Sequence, residues 1–139
     1  MISRWILAPV LRAWVASKTE EVDLLPRPRD DPEWHSPGPD ADRVLIFGGG
    51  PAVGWGVLSH EIGLTGALGR VLSRQTHRGA DIHARPIPRL KIASALVELG
   101  KIDIDGYDAV VLTLGINDAG ALTPTSSWAR GLTALLRGI

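Results

Sequence analysis

Two short apolar runs, each ending in a turn built from glycine or asparagine, constrain this chain more than any other feature. Arg43-Val-Leu-Ile-Phe47 runs straight into Gly48-Gly-Gly-Pro-Ala-Val-Gly-Trp-Gly56, and Tyr107-Asp-Ala-Val-Val-Leu-Thr-Leu114 runs into Gly115-Ile-Asn-Asp118. Neither run alternates apolar with polar residues, so each reads as a strand covered on both faces. Between them, Thr65–His77 reads as a helix capped by Thr65, with Ala67, Leu68, Val71 and Leu72 as its apolar stripe and Gly79 as its stop. Arg70, Arg74 and Arg78 recur on the other side as a solvated face. Asp81–Arg85 is a weaker strand, and Leu90–Leu99 is a helix stopped by Gly100. Thr125–Arg137 is a last helix that buries Trp128, Leu132, Leu135 and Leu136. This βαβαβα order predicts a parallel sheet with right-handed crossovers.

The remainder of the chain sets bounds. Its 139 residues suit one domain. Fifteen basic residues balance fifteen acidic ones, which argues against a nucleic-acid partner, whose binding rests on neutralising phosphates. Twelve of the basic residues are Arg and three are Lys, a compositional bias rather than a binding surface. The absence of Cys excludes disulfides, thiol nucleophiles and Cys-ligated zinc. Residues 1–17 read as an apolar helix interrupted by Arg4 and Arg12, with Trp5 and Trp14 and a kink near Pro9. It either packs on its own domain or lies at a membrane interface through 2–16. Residues 18–42 read as an acidic linker, because half of the ten prolines fall within Pro26–Pro39 and nothing there is periodic. The globular part then spans 43–139, in a protein expected to be cytoplasmic or peripheral to a membrane.

In an open parallel sheet, ligands sit beyond the carboxyl ends of the strands, where neighbouring strands send their helices to opposite faces. If the strands at 43 and 107 are neighbours, in the order 2-1-3, the two unusual turns meet there. The glycines do not fit a nucleotide motif. A Gly-x-Gly-x-x-Gly starting at Gly48 meets Val53 at its third glycine, one starting at Gly49 meets Pro51 at its second, and no Lys supplies a phosphate loop.

The second turn is more specific. A buried strand entering Leu114-Gly-Ile-Asn-Asp118 resembles the third block, Gly-x-Asn-Asp, of the SGNH (GDSL-type) hydrolase family. Val44-Leu-Ile-Phe-Gly-Gly-Gly-Pro51 is then similar to its first block, a hydrophobic strand followed by Gly-Asp-Ser-Leu. The resemblance implies a flavodoxin-like three-layer α/β/α sandwich with a parallel sheet, of which the first three strands are present. It also implies acyl hydrolysis of a small ester substrate, with no cofactor and no metal. On this resemblance Asn117 matches the side chain that holds the oxyanion, Gly48 matches the motif glycine, and Gly49 stands in place of Asp. Gly50 stands in place of the nucleophilic Ser, so only its backbone N–H can serve. The second-block glycine has no counterpart between Ala80 and Leu99. No Asp-x-x-His occurs before Ile139 either, which suggests a truncated chain or a pseudoenzyme. The rivals are a non-catalytic binding module of the same ancestry and a nucleotide-binding α/β domain.

Other residues offer alternatives. Trp55, with Val53, Val57 and Leu58, is a candidate lining for an acyl pocket. Asp118 either caps its turn or takes part in catalysis. Ser59 and His60 could form a rewired pair, although adjacent side chains diverge. Asp81 and His83 share a strand face but lack further metal ligands nearby, and His35 and His77 are read as solvent-exposed. The apolar third strand leaves an open sheet edge, through which self-association is expected.

Overall fold

The computed structural model describes residues 9–10, 13–15 and 21–139. Its elements are β1 (Glu33–Ser36), β2 (Asp42–Gly48), a 3-10 turn (Gly50–Val53), α1 (Leu64–Thr76), β3 (Ala80–Pro86), α2 (Ile92–Leu99), β4 (Ala109–Thr113), α3 (Ile116–Gly120) and α4 (Thr125–Leu136). The four strands form one open mixed sheet in the order β1-β3-β2-β4. β2 pairs in parallel with β3 on one side and β4 on the other, so the two unusual turns are neighbours.

β2 is central for a simple reason: its run of apolar residues has a use for every side chain. Leu45 and Phe47 enter one core with Ile92, Ala95, Leu99 and Leu135, against which Trp128 and Leu132 pack. Val44 and Ile46 enter a second core with Ala80, Ile82 and Ala84, joined by Trp34, Leu64, Leu68 and Leu72. Successive strand residues point to opposite faces, so a strand flanked by two cores shows no alternation. β4 pairs only with β2, and its outer edge carries no further strand among the described residues.

The sheet is not purely parallel, and the segment 18–42 is not merely a linker. Glu33–Ser36 pairs antiparallel with β3, placing Trp34 opposite Ile82. Four residues with one inward apolar side chain give no periodic signal. The strand is held by its ladder and by Trp34, which lies against Gly69 of α1. The apolar helix expected over 1–17 lies largely outside the described residues. Residues 9–10 and 13–15 are helical, and a Cβ added at Gly120 would lie 3.1 Å from Val15 Cγ1. The membrane contact expected of 2–16 likewise lies mostly outside the described residues, among which no helix is long and apolar enough to cross a membrane.

The buried face of α1 is rotated from the expected stripe. Thr65, Gly66 and Gly69 are buried, whereas Ala67 and Val71 are exposed. Glycine carries no hydrophobic signal, yet here it permits the closest approach. Thr65 is therefore a core residue, and Gly63 occupies the cap position. At the other end His77, with φ 57°, takes the left-handed cap expected of Gly79. Gly79 is instead wedged against Ala41 and Gly38. The Arg row is only partly solvated, since Arg70 donates to the Glu61 carbonyl at 2.8 Å and Arg78 bridges Asp40 and Asp42. In α4, Leu136 is 56% exposed, because Trp128, Leu132 and Leu135 complete the inward stripe one residue earlier.

A Cβ at Gly69 would overlap the Trp34 ring and lie 2.9 Å from its Cδ2. Gly69→Ala is therefore expected to destabilise the protein by about 1–3 kcal/mol despite alanine's better helix propensity. Urea unfolding followed by Trp fluorescence would measure this, and an unchanged midpoint would show that Trp34 does not anchor β1.

Candidate functional site

The carboxyl ends of β2, β3 and β4 are tied together by their own backbone. Gly49 N–H donates to the Thr113 carbonyl at 2.9 Å, and Ile87 N–H donates to the Gly48 carbonyl at 2.8 Å. Thr113 Oγ1 donates back to the Gly49 carbonyl at 2.9 Å. The three strand ends thus hold the glycine turn between them, and each glycine answers a different constraint. A Cβ at Gly48 would overlap the Thr113 carbonyl oxygen, and its φ of 140° already disfavours a side chain. A Cβ at Gly49 would lie 3.2 Å from Asn117 Nδ2 and 3.3 Å from the Ile87 carbonyl oxygen. At Gly50 space is open, with only Ile116 Cγ2 nearby at 3.5 Å, but φ is +57°. The Gly50 N–H has no acceptor among the described residues.

Asn117 stands on α3, launched by Gly115 at φ 111°. Its Nδ2 donates to the Leu90 carbonyl at 3.0 Å. That bond uses one of the two amide hydrogens and fixes the side chain over Gly49, leaving the second hydrogen for a ligand. Gly48, Gly49, Gly50 and Asn117 therefore converge, as the strand order requires.

The other candidates go elsewhere. Asp118 is 3% exposed. Its Oδ2 accepts the Ile92 N–H at 2.9 Å, and its Oδ1 accepts the Thr123 hydroxyl at 3.2 Å. It ties its own turn through Thr123 and also caps the start of α2, where a carboxylate complements the helix dipole. Trp55 lies beneath Arg27, whose guanidinium carbon is 5.9 Å from the ring centroid. The expected acyl lining disperses: Val53 is buried, Val57 packs on Gly54 and Gly63, and Leu58 is exposed. Leu58 borders an open cleft of about 610 Å³ with Pro26, Arg27, Pro28 and Arg29. A second cleft of about 530 Å³ is lined by Tyr107, Arg85 and Lys101 and reaches Pro86 and Ile87, beside the glycine turn.

His60 is buried, and its backbone N–H donates to both oxygens of Asp30 at 2.9 Å. No hydrogen bond joins Ser59 to the His60 ring among the described residues. Asp81 pairs with His35, and His83 Nδ1 meets the Tyr107 hydroxyl at 2.9 Å. The shared face therefore does not make Asp81 and His83 a joint site, and His35 is paired although exposed. Among the described residues, no three His, Asp or Glu side chains form a group able to hold a metal.

Two features escaped the sequence. The loop after β3 contains no glycine, yet Arg89 takes the left-handed conformation at φ 60°. The Asp23–Asp30 segment, hidden in proline-rich composition, reaches both site loops through Asp23 and Asp30. No family model, curated protein or solved structure matches this chain.

Proposed function

We propose that the chain is an SGNH-hydrolase-like protein with a flavodoxin-like three-layer fold, whose retained site binds the carbonyl or carboxylate oxygen of a small acyl compound without covalent catalysis. The observation that carries this reading is the placement of the Asn117 amide over Gly49, next in sequence to a Gly50 N–H without an acceptor among the described residues. Two such donors beyond the ends of adjacent parallel strands suit an oxyanion, whose negative charge strengthens each hydrogen bond. The third donor implied by the resemblance would come from the loop after β3. There the Leu90 N–H is turned onto the Ile87 carbonyl, so Leu90 does not supply it. Gly50 supplies no hydroxyl, so no acyl-enzyme can form at that position.

Titrating butyrate into the labelled protein is expected to shift the Gly50 backbone amide and the Asn117 side-chain amide resonances together. Asn117→Ala is expected to weaken binding about tenfold or more, as losing a charge-assisted hydrogen bond should. p-Nitrophenyl butyrate turnover should stay at the buffer rate. Turnover that Asn117→Ala abolishes would replace this reading with an active hydrolase. Binding of ADP in place of butyrate would replace it with a nucleotide site.

A further inference from the structure

The segment between Asp23 and Asp30 touches both loops that flank the glycine turn, and its contacts are of different kinds. Pro26 accepts the Gly56 N–H through its carbonyl at 2.9 Å. Pro28 covers Gly54, where an added Cβ would lie 2.6 Å from Pro28 Cγ. Arg27 sits over Trp55 and pairs with Asp23 at 2.9 Å. Asp30 receives the His60 N–H on both carboxylate oxygens. At the other end Asp23 also pairs with Arg89, in the loop whose Leu90 carbonyl receives Asn117.

We propose that residues 23–30 are a detachable strap that clamps the loop 54–63 to the loop 87–90, and that its release frees both loops beside the glycine turn. The physical argument is one of local stability. The strap itself is exposed apart from a half-buried Pro28, so few apolar contacts hold it, and it can open without unfolding the sheet. Its two carboxylates are the ties that single substitutions remove, Asp30 accepting the His60 N–H and Asp23 pairing with Arg89. In keeping with this, the His60 backbone N–H holds the Asp30 carboxyl below its ordinary range. The unusual φ of Arg89 fits the same device, since it belongs to the residue that Asp23 grips.

Hydrogen exchange of the whole chain tests the strap without reference to any ligand. Asp30→Ala is expected to raise exchange about tenfold or more across 54–63, while β2 and β3 amides exchange as in the parent. Asp23→Ala should raise exchange across 87–90 by a smaller factor, about two- to fivefold, because the Asp23–Arg89 pair is exposed. Unchanged protection in 54–63 and 87–90 would overturn the proposal, and so would equal acceleration throughout the sheet, which would make the segment an ordinary part of the fold. Butyrate affinity of Asp30→Ala adds a readout that rests on the carbonyl-binding reading. If the parent itself binds no butyrate, that reading fails while the exchange result still decides the strap.

Discussion

Asp118→Ala is expected to lower stability by about 3 kcal/mol, and with it the melting temperature by about 10 °C or more. The carboxylate is buried, and both of its oxygens are engaged, one by the first N–H of α2 and the other by Thr123. Alanine would leave the Ile92 N–H without its acceptor in a buried setting, which costs about 1–3 kcal/mol for that group alone. It would also remove a negative charge from a helix N-terminus, worth about 0.3–1 kcal/mol. Asp118→Asn keeps one acceptor oxygen and should lose roughly half as much. The damage should also reach the pocket, because Leu90, whose carbonyl positions Asn117, lies two residues before Ile92. Thermal unfolding by circular dichroism decides the matter. If Asp118→Ala melts with the parent protein, the carboxylate is not a structural tie, and a chemical role for it returns.

Asp118 also shows what a sequence hides. One of its two partners, Ile92, lies 26 residues away, so the local pattern shows its own turn but not the cap on α2. The strands at 43 and 107 were legible because both cores draw on the same unbroken apolar run, and once they are neighbours Asn117 must meet the glycine turn. β1 was not legible, because a four-residue strand carried by Trp34 depends on Gly69, which comes 35 residues later and counts for nothing on a hydropathy pattern. The same blindness rotated the expected face of α1. Arg89 was hidden for a different reason: its left-handed backbone is imposed by the surrounding structure, and no propensity of arginine announces it.

Gly48 and Gly50 should separate sharply on substitution. Gly48→Ala is expected to be the most damaging single change at the site, costing about 3–5 kcal/mol or preventing folding. Its Cβ would overlap the Thr113 carbonyl oxygen and lie 2.6 Å from Thr113 Oγ1. Those atoms belong to the partner strand in register with Gly48, so neither rotamer change nor side-chain movement relieves the clash. β4 would have to move away from β2, breaking the Gly49 N–H bond to Thr113 and carrying Asn117 off the turn. Gly50→Ala meets only Ile116 Cγ2 at 3.5 Å, so its cost should be the left-handed backbone alone, about 1–2 kcal/mol. Gly50→Ser should cost the same and fold. Packing therefore does not forbid a hydroxyl at the position where the resemblance implies a nucleophile; the backbone only disfavours it. Melting curves for the three variants test this order, and a Gly50→Ser protein as unstable as Gly48→Ala would mean that crowding, not backbone conformation, selects glycine there.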